Sequence, residues 1–285
     1  MNQRSDILRQ VAVISAVSFM IVAAMVGTGF FGGTNVRDLQ GGALDADATV
    51  LAPDRPAFGI WSVIYALLIA YAVWQALPGQ RARHRQQAAG WWIALTAVLN
   101  GGWLLAAQFT TLPVTVLAIV VLLVALGVTL RVLTRVPQRT VADVVFMDLM
   151  VGLHLGWVAL ATVANVTAWL TAEVAPASWA DAAVPVAVAV LAVVAVVGAA
   201  VAWGTGGRLA PALAMAWGLT WIGVARATGE PASMPIAVAA WVAAAIVLLA
   251  PVIVWATGRG RGELSRLAGT ERRDGLRRSR AARVA

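Results

Sequence analysis

Within one apolar stretch, His154, Trp157, Thr162 and Asn165 supply an imidazole, an indole, a hydroxyl and an amide. Wound as an α-helix, these residues and Ala161 share one face about 140° wide. Two other stretches repeat the design. Phe58, Trp61 and Tyr65 fall on one face, and Trp92, Thr96, Asn100, Trp103 and Ala107 form a comparable stripe. Flat rings that stack, beside a few polar groups that orient, are the usual lining of a small-molecule pocket. For a single mid-helix Asn or Thr the plainer role is an interhelical hydrogen bond, worth about 0.6 kcal/mol, and this is the expectation for Thr96. Conventional catalysis lacks its parts. The chain has no Cys, no paired carboxylates and only two His, His84 and His154, so no catalytic or metal-ligating residue is assigned.

The elements that would position these stripes follow from composition. The chain is 61% hydrophobic and 12% charged, where a soluble domain carries about 25% charged residues. It reads as all-α, a polytopic membrane bundle. Eight segments reach the roughly 20 apolar residues needed to span a bilayer: 11–33, 57–78, 90–109, 113–133, 144–170, 184–203, 209–225 and 235–257. Their length, without period-two alternation, excludes a barrel. The first is also too long for the apolar core of a signal peptide.

Charge orients the bundle. Of 21 Arg, 18 lie at the N-terminus, in the second, fourth and sixth connections, or beyond Trp255. The remaining gaps hold Arg37, Arg55 and Arg226 against seven acids: Asp38, Asp45, Asp47, Asp54, Glu173, Asp181 and Glu230. The positive-inside rule then places the protein in the cell membrane with both termini cytoplasmic. The net charge of +8 gathers in the tail, which suits lipid headgroups and gives no ground for nucleic acid.

Two signals need weighing. Gly27-Thr-Gly29-Phe-Phe-Gly32 spells a dinucleotide fingerprint, but it ends a membrane helix and follows no strand. Gly29 and Gly33, four apart, are instead expected to let two helices approach closely. Asp148 is the one acid inside a span as drawn. It lies about 120° from His154 on the wheel, so the two make no relay along one face. Pairing with Arg131 or Arg135, or exposure to headgroups, is expected.

The three stripes resemble the tryptophan-rich sensory protein family, also called the translocator protein or TspO/MBR family. Phe58-Gly-Ile-Trp61-Ser-Val-Ile-Tyr65 is similar to its F-x-x-(V/I)-W-x-x-(L/I)-Y signature, with Phe58 one residue nearer the Trp. Asn100-Gly-Gly-Trp103 resembles its N-x-x-W, and Trp157-Val-Ala-Leu-Ala161-Thr162-Val-Ala-Asn165 its W-x-x-F-A-T-x-x-N, with Leu160 in the aromatic position. His154 stands where a Tyr after Pro is common. The resemblance implies a five-helix core over 1–170. Outside it lie three additional transmembrane helices over 171–257, as in a long eight-span branch, and a basic tail over 258–285.

It further implies binding of porphyrins, haem among them, or other flat apolar ligands, with no cofactor required. Carried over residue by residue, Trp61 and Tyr65 would contact the ring, and Asn100, Thr162 and Asn165 would be polar contacts. Trp103 and Trp157 would be walls, and Ala161 would make room. Phe58 and His154 join on their wheel positions alone. The expected partners are membrane lipids and a tetrapyrrole or similar small hydrophobic ligand, with a homodimer left open. Two other functions compete: a secondary transporter of small metabolites, for which only Asp148 could carry a coupling proton, and photochemical breakdown of a bound porphyrin.

Overall fold

The structure is a computed structural model that describes residues 3–138 and 140–258. Its spans are α1 (Gln3–Gly27), α2 (Ile60–Ala76), α3 (His84–Phe109), α4 (Leu112–Arg135), α5 (Val141–Val174), α6 (Ala183–Gly204), α7 (Leu209–Thr228) and α8 (Met234–Ala256). Each, α2 together with the turn Arg55–Gly59 before it, is long and apolar enough to cross a membrane, and each coincides with an expected segment. A 3-10 turn, Arg55–Gly59, leads into α2 with Pro56 in its first turn. Within α5 the winding changes twice, to a π-helix at Val144–Leu149 and again at Leu170–Val174.

The first five helices close a ring. Helix α1 packs on α3, α3 on α4, α4 on α5, α5 on α2, and α2 back on α1. Its interior holds Val13, Met20, Ile64, Leu68, Ile93, Leu126, Met147 and Val151. Outside the ring, α7 lies along α5, α8 along α7 and α6 along α8. A second core joins these helices through Leu191, Met215, Leu219, Ile236 and Val247, and takes in Leu51 from the first long loop. Lipid tails are as apolar as Leu, so close backbone approach and van der Waals packing hold such helices together.

Glycines mark where that approach is tightest. A Cβ on Gly101 of α3 would stand 2.6 Å from the Phe19 ring and 3.3 Å from the Met20 backbone of α1. On α5, Gly152 and Gly156 face α7. A Cβ on Gly152 would stand 2.5 Å from that of Ala210, and one on Gly156 would overlap the Pro211 carbonyl oxygen. The expected role of Gly29 and Gly33 is not what the structure shows. Helix α1 ends at Gly27, and Gly29 has φ 75°, so these two glycines meet each other in a turn beyond the helix, with only the Gln108 side chain of α3 near Gly33. The apolar run through Phe30 and Phe31 hid the stop, because both side chains remain exposed after the backbone has turned.

At the Arg-rich end α1, α3, α4 and α5 run past their expected limits, and polar side chains enter the bundle. Gln10 and Gln75 exchange amide-to-carbonyl bonds of 2.7 and 3.1 Å between α1 and α2. The Tyr71 hydroxyl donates to Gln86 at 3.0 Å, and Gln87 donates to Asp6. Asp148 is not paired with Arg131 or Arg135, and it is buried away from headgroups. It accepts 2.6 Å bonds from Arg85 of α3 and a further bond from Arg208, at the start of α7. Two causes explain the difference. Arg85 belongs to α3 and not to a loop, and the π-wound turn around Asp148 departs from the 100° step of the wheel. Asp148 is also not alone, since Asp6 and Asp143 lie buried within the lengthened helices.

At the other end the loop before α2 lies across the bundle. Gln40 donates to the Thr110 carbonyl at 2.7 Å, and Arg226 of α7 donates to that of Ala46 at 3.2 Å. The Asp54 amide donates to the Trp221 carbonyl at 3.3 Å. The expected basic tail lies, after Gly258, outside the described residues.

Candidate intramembrane ligand site

The aromatic stripe of α2 faces α5 inside the ring. Trp61 and Tyr65, one helical turn apart, stack with ring centroids 5.2 Å apart and planes 30° from parallel. Trp61 also meets His154 edge to face at 5.8 Å and Trp157 at 6.2 Å. Phe58, in the turn before α2, abuts Trp157 at 5.6 Å. Phe58 is exposed and Trp61 half-buried, whereas His154 and Trp157 are buried. One side of this group therefore reaches the protein surface at the start of α2.

A polar relay crosses the same space. The Tyr65 hydroxyl donates to Asn100 Oδ1 at 3.4 Å, and Asn100 Nδ2 stands 2.9 Å from His154 Nε2. Three helices, α2, α3 and α5, are joined here by side chains alone. Phe58, Trp61, Tyr65, Asn100, His154 and Trp157 thus form one contiguous group, drawn from all three stripes.

The other expected residues stand apart from it. Asn165 lies 11 residues beyond His154, about 16 Å along the helix. It meets Thr115 of α4 at 3.1 Å, while the same Thr115 hydroxyl donates to the Leu112 carbonyl at 2.7 Å. The Thr115 hydroxyl is thus shared between a carbonyl of its own helix and Asn165 Oδ1 of α5. Thr162 bonds the Val158 carbonyl of its own helix at 2.7 Å, and Thr96 bonds Ile93 at 2.9 Å, so Thr96 is not the interhelical donor expected. Trp103 and Ala161 are half-buried and pack on the ring core. The Trp103 indole N–H is buried without a partner among the described residues.

Sequence reasoning missed the contribution of α7. Gly218 faces Leu160 and the Trp157 indole, and a Cβ there would stand 3.4 Å from Trp157 Cζ3. Trp217 and Trp221 pair at 5.6 Å, and the Trp217 N–H donates to the Ala57 carbonyl at 2.9 Å. The signal available was Gly152-x-x-x-Gly156, the small-residue spacing of a helix contact. Away from the aromatic group, a cavity of about 380 Å³ opens between the first long loop and the end of α5, lined by Asp38, Asp45, Asp47, Thr49 and Thr171 among others.

A family model described as TSPO-like protein matches residues 9–253. The chain belongs to this family. The match to the TSPO-like family runs past the three motif-bearing stripes and through α6, α7 and most of α8, so the helices outside the ring lie within the family region. Comparison with curated proteins and with solved structures gave no match. Membership with eight apolar helices makes this TSPO-like chain a multi-pass membrane protein.

Proposed function

We propose that this protein binds porphyrin-like or other flat hydrophobic ligands within the membrane, acting as a sensor or carrier. The reading rests on one observation above the others: the stacked Trp61–Tyr65 pair stands beside the Asn100–His154 amide–imidazole pair inside the five-helix ring. A tetrapyrrole offers a broad π-face for the rings and carboxylates for the polar edge. Because Trp61 meets His154 and Trp157 edge to face, a ligand would replace those ring–ring contacts with its own, from the side where Phe58 and Trp61 reach the surface. Trp103, Ala161, Thr162 and Asn165 would line the extension toward the acidic-loop end. The Arg distribution supports a cell-membrane protein with both termini cytoplasmic.

The alternative of proton-coupled transport needs an acid free to titrate. Asp148 is held by Arg85 and Arg208, which favours a structural role. Titrating the detergent-purified protein with protoporphyrin while following Trp fluorescence tests the proposal. Saturable quenching that weakens in Trp61→Ala supports it. Quenching no greater than that of free tryptophan at the same porphyrin concentration rejects it.

A further inference from the structure

The relay Tyr65–Asn100–His154 decides which part of the imidazole is left for a ligand. Tyr65 donates to Asn100 Oδ1, which turns Asn100 Nδ2 toward the ring, and an amide nitrogen can only donate. With the amide in this orientation His154 Nε2 is the acceptor, and the proton of the neutral imidazole sits on Nδ1. That N–H is fully buried and has no partner among the described residues. The Trp157 indole N–H, on the same face of α5, is likewise buried with no partner among the described residues. Buried donors without acceptors are rare and costly, and here both belong to residues of the aromatic group.

We infer that His154 serves the site as a hydrogen-bond donor through Nδ1–H and not as a metal ligand, so the site selects flat ligands that carry a carboxylate or carbonyl acceptor and is indifferent to a metal at their centre. The inference builds on the proposed ligand site. Metal ligation by imidazole needs a bare ring nitrogen. Nε2 has its lone pair engaged by Asn100, and Nδ1 carries the proton. The acceptor on the ligand would take up Nδ1–H, with Trp157 Nε1–H as a second donor. A cationic ligand would find no acceptor in this pair of groups.

The test compares three probes on the full-length protein in detergent: protoporphyrin IX, octaethylporphyrin, which lacks carboxylates, and haemin. His154→Phe should weaken protoporphyrin IX by about tenfold or more, the value of a hydrogen bond to a charged acceptor, and weaken octaethylporphyrin by much less. His154→Asn, which restores a donor near the Nδ1 position, should recover most of the loss. The haemin spectrum should be the same in wild type and His154→Phe. A histidine-ligated haemin spectrum that disappears in His154→Phe overturns the inference, as does unchanged protoporphyrin IX affinity in a folded variant. If His154→Phe does not fold, nitrogen NMR of wild type decides, because the chain has only two His. A proton on Nε2 of His154 overturns the assignment, and one on Nδ1 supports it. Failure of all three porphyrins to bind wild type instead removes the ligand site itself.

Discussion

Asn100 of α3 and His154 of α5 meet at 2.9 Å in the middle of the five-helix ring, where neither side chain reaches solvent. The Cα atoms belong to helices that are not adjacent in sequence, so the contact ties the third and fifth spans across the bundle. Asn100→Ala removes the partner of both Tyr65 and His154. Interhelical hydrogen bonds in membranes average about 0.6 kcal/mol and reach about 1.7. A loss of 1–2 kcal/mol in detergent unfolding is therefore expected, with Asn100→Asp less disruptive toward Tyr65 than toward the imidazole.

The Asp148 cluster should be far more sensitive. Asp148→Ala leaves Arg85 and Arg208 buried together without their shared carboxylate. Breaking a buried pair by removing one partner costs about 3–5 kcal/mol. Arg208→Ala should cost less, because Asp148 keeps both 2.6 Å bonds to Arg85. Thermal unfolding of the two variants, followed by loss of the monodisperse peak, should rank them in that order.

Helix α7 is seated through glycine. Gly156→Ala would place a methyl group against the Pro211 carbonyl, part of the α7 backbone and unable to swing aside. Overpacking of this kind costs about 1–3 kcal/mol. Gly127→Ala on α4 meets nothing within 4 Å, and should be neutral or slightly stabilising through helix propensity. Side-by-side melting curves check both expectations.

Arg226 fastens the long loop by donating to the Ala46 carbonyl, and also to those of Glu230 and Pro231. Arg226→Ala should leave the helices intact and expose the loop. Limited proteolysis should then cut within residues 34–55 several-fold faster than in wild type, while hydrogen exchange in α3 and α5 stays unchanged.

Most of the architecture was readable because a span announces itself locally, as about 20 apolar residues in a row. The stripes were readable for the same reason, since Trp61 and Tyr65, or His154 and Trp157, share a face through spacing within one helix. What crosses between helices was not. Arg85 and Arg208 could not be matched to Asp148, because they lie 63 and 60 residues away in sequence and the π-wound turn shifts the phase of the acid. Helix α1 was drawn too far because Phe30 and Phe31 continue the apolar pattern after Gly27, although Gly29 and Gly32 both adopt positive φ. Asn165 shared a wheel face with His154, but a wheel does not show the 11 residues of rise between them.

Trp61, Tyr65, Asn100 and His154 together are expected to receive a flat ligand. Equilibrium titration of wild type and Trp61→Ala with protoporphyrin IX, read by Trp fluorescence and by porphyrin absorbance together, tests this most directly. Saturable one-site binding to wild type, weakened about tenfold or more when the stacking surface is removed, is the predicted result. Identical binding by the two proteins, or none by either, would contradict it.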